Sequence, residues 1–309
     1  REAGVADVVR VGTENGVRED MLDVRLERGG EPNERAAALR DAPVVAATTA
    51  TCGSRVMREQ SFDVAVVDEA SQLTEPDTLA AVARADRFVL VGDHHQLPPV
   101  VRNEDLGTSL FERLHDAHPE SAVMLDTQYR MAQRIQAFAS REFYDGQLRP
   151  ASGEVAGQHL RQLPGIDVDA LPEHLDDRVA FVDPDGHADG NTNAEEADAV
   201  AEVVASYREA GVAAEDIGVI APFRAQVAEI DKRMPEAVAV DTVDRFQGSS
   251  KEVIVISFVA TGGLDSPIFE DYRRVNVALT RAKKALVLVG DADALGTDDT
   301  YGRMVEWAR

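Results

Sequence analysis

The chain has 309 residues, 44% of them apolar, and a formal net charge of −24. This is enough for two domains of ordinary size, each with a buried core. The single cysteine, Cys52, rules out an internal disulfide or a multi-cysteine zinc site within these residues, and no apolar run nears the roughly 18 residues of a membrane span.

The basic footprint usual for a nucleic-acid binder is missing. Of the 32 Lys+Arg only Lys232, Lys251, Lys283 and Lys284 are lysines, and the acids are scattered rather than gathered in a tail. Such a surface suits a salt-loaded cytoplasm. Near 1 M salt the Debye length is about 3 Å, which screens repulsion among surface acids. A halophilic source, a cytoplasmic location and no membrane partner are the expectations.

Short apolar runs follow one another along the chain, each ending in polar or Gly-rich residues. The runs PVVAATTATCGS, FDVAVVDEASQ, RFVLVGDHHQLPP and AVMLDTQYRM come first. DIGVIAPFRAQ, VAVDTVDRFQG, EVIVISFVATGG and ALVLVGDADA follow. Several consecutive apolar residues suit parallel strands buried on both faces. Helical patterns lie between them, such as Glu195 to Gly211, where Thr192 and Glu195 have capping-box spacing. The alternation predicts an α/β fold of doubly wound parallel sheets, with ligands beyond the carboxyl ends of the strands. The irregular stretch from Pro150 to Asn193 contains the strand-like VAFVD and is placed inside the second domain.

VVDEASQ puts adjacent carboxylates, Asp68 and Glu69, at the tip of an apolar strand. Phosphoryl transfer to water needs one carboxylate to hold Mg²⁺, directly or through water, and a second group to orient the attacking water. Two solvated acids in a helix-start turn would give the same letters. RFVLVGDHHQLPPV repeats the design with Gly92, Asp93 and Gln96; a glutamine can bond a γ-phosphate or the attacking water without adding negative charge. His94 and His95 are adjacent, so their side chains point apart, and no ligand set accompanies them.

In this order and spacing the two motifs resemble superfamily-1 helicases, in the subgroup of the nonsense-mediated-decay RNA helicases and the DNA replication helicase–nucleases. DVVRVG and VVAATTATCGS look like the segments flanking motif Ic of that subgroup. LDTQYRM from Leu125 matches its motif IV and IAPFRAQV from Ile220 its motif IVa. VDTVDRFQGSSKEVIVIS from Val240 matches motif V, and YRRVNVALTRAKKALVLVGD from Tyr272 matches motif VI.

The resemblance implies roles residue by residue. Arg130 and Arg281 match the two arginines that reach the γ-phosphate, and Tyr129, beside Gln128, matches the residue that stacks on the base. Gln247 and Gly248 sit where motif V couples nucleotide state to the strand. Thr48, Thr49, Pro222, Arg224, Gln226 and Thr242 are the implied strand contacts, made mainly to the backbone of single-stranded nucleic acid. Two RecA-like domains are implied: residues 1–117, incomplete, and residues 118–309, with ATP and Mg²⁺ in the cleft between them. Movement 5′→3′ is also implied.

Two departures qualify it. Ser250 stands where the family carries glutamate, in Gln-Gly-x-Glu. None of the four lysines follows a glycine, so the Gly-Lys-Ser/Thr loop that cradles phosphates is not among these residues. The expectation is therefore the C-terminal part of an ATP-dependent helicase or translocase, DNA favoured over RNA, inactive by itself. The alternative is a non-catalytic nucleic-acid-binding or scaffold module with a vestigial ATP site. Asp185, His187, Asp189, Gly190 and Glu196 approximate calcium-loop spacing, but His is a poor ligand for a hard cation, and an acidic surface loop explains them better.

Overall fold

The computed structural model describes residues 7–13, 19–26, 32–101 and 106–309. They fall into two compact units. One holds the described residues up to His94 together with those of Pro98–Ala122; the other holds His95–Leu97 and Val123–Arg309. Among the described residues no helix is long and apolar enough to cross a membrane.

In the first unit β1 (Val8–Val11) pairs in parallel with β2 (Val44–Ala47), and β3 (Phe62–Val67) with β4 (Ala85–Leu90). Helices α1 (Pro32–Asp41), α2 (Glu75–Val82) and α3 (Leu110–Ala117) accompany them. Thr74 and Ser109 start α2 and α3 by accepting the backbone N–H groups of Asp77 and Glu112. The buried apolar clusters are small, one around Val11, Leu39 and Met57 and one around Val67, Ala70 and Val82. The β3–β4 pair leaves much of its apolar surface open, with Val64 at 44%, Val66 at 67% and Val89 at 50% exposure.

The second unit is built on a larger sheet. A short pair, β5 (Thr127–Gln128) with β6 (Arg149–Pro150), stands apart from it. The main sheet contains β7 (Val179–Val182), β8 (Ile217–Ala221), β9 (Ala239–Thr242), β10 (Lys251–Ser257) and β11 (Ala282–Val289). All its pairings are parallel, in the order β7-β11-β10-β8-β9. Alternation along each strand divides the core in two. Ile254, Ile256, Leu286 and Leu288 face α4 (Gln133–Phe143), α7 (Tyr272–Leu279) and α8 (Asp299–Ala308). Val253, Val255, Val287 and Val289 face α5 (Ala194–Glu209) and α6 (Arg224–Asp231). Each large side chain buried here contributes roughly 1.5–3 kcal/mol. This is the doubly wound parallel α/β fold that the alternation predicts.

Three local expectations change. The run Ala122–Leu125 forms no strand among the described residues: Val123 and Leu125 are exposed, and pairing begins only at Thr127. Helix α5 is capped by Asn193, whose side chain accepts from the Glu196 N–H, and not by Thr192, whose hydroxyl donates to the Asp189 carbonyl. The cap moves one residue because Asn is at least as good a cap as Thr, and the shift turns Glu196 inward. The third concerns which end of the sheet carries the chemistry.

Candidate functional site

The two acids stand at the tip of β3. Glu69 has φ 53, a left-handed turn that ends the strand and starts the 3-10 turn Ala70–Gln72. Its N–H donates to Asp68 Oδ1 at 3.0 Å, and Gln72 Nε2 donates to Glu69 Oε2. Both acids are exposed. The neighbouring tip is locked against this one: Ala70 N–H donates to the Val91 carbonyl at 2.8 Å, and Asp93 N–H to Ser71 Oγ at 3.1 Å. Gly92 makes the approach feasible, since a Cβ there would lie 2.8 Å from the Ser71 nitrogen. Among the described residues no three His, Cys, Asp or Glu side chains gather as a metal cage. The single exposed carboxylate of Asp68 nevertheless fits Mg²⁺, which keeps several waters and shares phosphate oxygens.

In the second unit two arginines distant in sequence meet at one residue. Arg130 donates from Nη1 to the Thr280 carbonyl at 3.0 Å across 150 positions, and Arg281 donates from Nη2 to Thr280 Oγ1 at 3.0 Å. Arg281 is 3% exposed and also donates to the Val277 carbonyl at 3.0 Å and the Ser249 carbonyl at 3.4 Å. Partial burial lowers the Arg130 pKa from its ordinary value; a guanidinium stays charged there regardless. The Ser249 contact joins the pair to the turn holding Gln247 and Gly248, which Gly248 makes with φ +80. Gln247 Nε2 is buried with no hydrogen-bond partner among the described residues.

This cluster sits at the amino end of the sheet. Gln247 and Gly248 precede β10, Arg281 precedes β11, and Ala132 N–H, next to the Arg130 loop, donates to the Lys283 carbonyl at 2.9 Å. Pro222 and Thr242 lie instead at the carboxyl ends of β8 and β9, with exposed Arg224 opening α6. The sheet thus separates the two groups of candidates, and for the arginines the carboxyl-end expectation is wrong. In the first unit Asp68 and Glu69 do follow β3, and Thr48 follows β2, where it caps the turn Thr49–Cys52 and accepts from Thr51 N–H.

Two predicted contacts are engaged in holding the fold. Gln226 is 0% exposed; it accepts the Asn193 N–H at 2.9 Å and donates to the Asn193 carbonyl at 3.0 Å and to Ser257 Oγ at 3.3 Å. A strand cannot reach it. Gln128 accepts from the N–H groups of Arg130 (2.8 Å) and Met131 (2.7 Å) and donates to the Met131 carbonyl and to Gln136 Oε1. It shapes the loop that presents Arg130 and Tyr129, the latter 78% exposed, and has no capacity left for a nucleotide.

Sequence reasoning missed Thr280, Ser249 and Asn276, and it read Glu196 only as part of an acidic surface loop. Asn276 left a faint trace as the polar residue inside the apolar stretch VNVAL. It is 0% exposed and donates to the His95 carbonyl at 2.8 Å and to the Tyr144 hydroxyl at 2.9 Å. Glu196, also 0% exposed, accepts from Ser257 Oγ and from the Val259 N–H at 2.9 and 3.0 Å, holding Val259 at φ 68. Burial pushes its carboxyl up to about 7. A carboxylate so enclosed is no member of a calcium loop.

Comparison with known proteins gives two matches to AAA domain family models, over residues 106–293 and 13–104. An uncharacterized ATP-dependent helicase of Methanocaldococcus jannaschii is 35% identical over 291 residues, covering 88% of this chain and 42% of that protein. A DNA replication ATP-dependent helicase/nuclease of Xenopus laevis is 35% identical over 296 residues, covering 85% of this chain and 28% of that one. The chain therefore spans less than half the length of either relative. An arterivirus nonstructural protein 10 helicase solved with DNA aligns over 97% of this chain and 50% of its own, at 16% identity and a TM-score of 0.47.

Proposed function

Because this chain belongs to the AAA-domain family of ATP-dependent helicases that includes DNA replication helicase–nucleases, we propose that it is part of a superfamily-1 motor driven by ATP hydrolysis, in the subgroup that also holds the nonsense-mediated-decay RNA helicases. That motor moves 5′→3′ along single-stranded nucleic acid. DNA is the favoured strand and RNA the alternative; relatives named for DNA replication support the first. In this reading residues 1–117 belong to one RecA-like domain and residues 118–309 to another.

The observation that carries the reading is the meeting of Arg130 and Arg281 on Thr280. Two guanidiniums held side by side make a costly arrangement unless negative charge is to be received there. In phosphoryl transfer that charge spreads over the transferred oxygens, where arginines stabilise it. Asp68 would hold Mg²⁺, which when bound neutralises phosphate charge. Glu69 orients the attacking water, with Gln72 fixing its carboxylate. Gln96 bonds the γ-phosphate, Tyr129 stacks on the base, and Gln247 and Gly248 relay nucleotide state to the strand. To act, Arg281 must exchange its bonds to Val277, Ser249 and Thr280 for bonds to phosphate oxygens. Thr48, Thr49, Pro222, Arg224 and Thr242 remain the proposed strand contacts, and Ser250, two residues after Gly248, removes an acid that in the family serves a contact to nucleotide or to metal-bound water.

The test is ATP hydrolysis by the complete polypeptide in molar KCl, with and without single-stranded DNA, beside Glu69→Gln. We expect strand-stimulated turnover in the parent and its loss in the mutant, with ATP binding kept. Unchanged turnover in Glu69→Gln would remove the water-orienting role. Strand binding with no turnover under any condition would instead favour a non-catalytic module. We also infer a halophilic, cytoplasmic protein. Its melting temperature should rise between about 0.1 M and 1 M KCl, as the screening length shrinks from about 10 to about 3 Å, and a flat response would contradict this.

A further inference from the structure

Asn276 belongs to none of the roles above, yet it is the polar side chain at the middle of α7, fully buried, and it bonds to two distant segments. One partner is the His95 carbonyl, in the three-residue segment His95–Leu97 that groups with the second unit although its chain neighbours group with the first. The other is the Tyr144 hydroxyl, just beyond α4, whose ring meets His95 edge-on with centroids 5.4 Å apart. The orientation of the amide is fixed by chemistry: a carbonyl can only accept, so Nδ2 must face His95. This leaves Oδ1 buried with no hydrogen-bond partner among the described residues.

A structural filler would not be built this way. An apolar residue of the same size would avoid a buried acceptor without a donor, which is costly. The arrangement is explained by what Nδ2 holds. His95 is bonded through its backbone and is followed directly by Gln96, while α7 leads within one turn to Thr280 and Arg281, where Arg130 also arrives. Leu97, on the other side of Gln96, is buried in the same core as Val275 and Leu279 of α7. Gln96 is therefore pinned on both flanks to the helix that ends at the arginine pair.

We propose that Asn276 is a positioning residue: it sets the register between Gln96 and the Arg130–Arg281 pair, so that all three bear on one γ-phosphate. The inference rests on the motor reading of those three residues. Its effect should lie on the chemical step, because misplacement by about 1 Å of a reacting arrangement costs about 10²-fold. ATP affinity should barely change, since no base or phosphate contact is assigned to Asn276.

The experiment is steady-state ATP hydrolysis by the complete polypeptide and its Asn276→Leu, Asn276→Asp and Tyr144→Phe variants, with melting temperatures measured in parallel. Asn276→Leu removes the unpaired Oδ1 but leaves the His95 carbonyl without its donor, so the variant should keep the fold with a modestly lower melting temperature. Its kcat should fall about 10- to 100-fold while KM for ATP stays within about 3-fold. Asn276→Asp, which sets a carboxylate against the His95 carbonyl, should fall at least as far. Tyr144→Phe keeps the ring and removes one of the two bonds, and should give a smaller loss of the same kind. A stable Asn276→Leu with parental kcat overturns the inference and leaves the motor intact, as does a loss confined to KM. If Asn276→Leu does not fold, an unchanged kcat in Tyr144→Phe overturns it just as well. An inactive parent overturns the motor reading and this inference with it.

Discussion

The β3–β4 pair of the first unit and the β10–β11 pair of the second are written in nearly the same residues, VAVV beside RFVL in one and VIVI beside LVLV in the other. Both are parallel and in clean register over their apolar stretch. Yet Val253 through Ser257 and Ala285 through Val289 are all buried, whereas Val64, Val66 and Val89 are about half exposed or more. The difference lies in what covers the strands. Helices α4, α7 and α8 close one face of the large sheet and α5 and α6 the other, while the described part of the first unit offers small clusters to a two-stranded sheet. A parallel pair earns its stability from layers that the strand sequence itself does not reveal.

Activity should ignore this contrast, and that gives the largest expected effect. Glu69→Gln in the sparse unit and Arg281→Ala in the dense one should each lower ATP turnover of the complete polypeptide by about 10³-fold or more. Glu69 is exposed and its variant should melt with the parent; Arg281 is buried, and its loss should also lower the melting temperature. Parental turnover in either would break the idea that both units serve one reaction.

Stability should expose the contrast. Leu288→Ala, at a 0% exposed position, should destabilise by about 2–5 kcal/mol, read from denaturant midpoints. Next comes pH. Burial keeps Glu196 protonated in the fold up to about 7, against an ordinary value of 4.5. The folded protein then holds a proton that the unfolded chain has released. Stability from this group is complete below about pH 4.5 and is lost as pH rises to about 7, by about 3 kcal/mol. The parent-minus-Glu196→Gln difference should follow that window; one constant from pH 4 to 8 would disprove it. Smallest of all, Val66→Ala should change stability by no more than about 0.5 kcal/mol. A loss as large as that of Leu288→Ala would mean that β3 is covered as thoroughly as β11.

Strand identity was legible because β-branched runs between Gly-rich breaks have few other uses, and the paired acids were legible because two carboxylates at a strand tip have a recognisable chemistry. Gln226 and Gln128 misled because a buried amide that satisfies backbone groups has the same letter as one offered to a ligand. Only the three-dimensional count of donors and acceptors separates the two. Thr192 and Asn193 are both good caps, so a shift of one residue, and with it the burial of Glu196, was undecidable from spacing. For Arg281 a general rule about carboxyl ends misleads, because the residue stands ahead of β11 and only the fold shows which end of the strand that is. Asn276 is the reverse case: one polar residue in an apolar helix gave no hint that its partner lies 181 positions away.

The tight approach at Gly92 has a practical consequence for anyone mapping tolerance position by position. Even alanine there would press on the Ser71 backbone and prise apart the two tips that carry Asp68, Glu69 and Asp93. Such a survey would score position 92 as intolerant as a catalytic acid, although it contributes no reactive atom. A biochemist ranking residues by lost function alone would mistake a hinge pin for part of the engine, and only a melting curve run beside the assay would tell them apart.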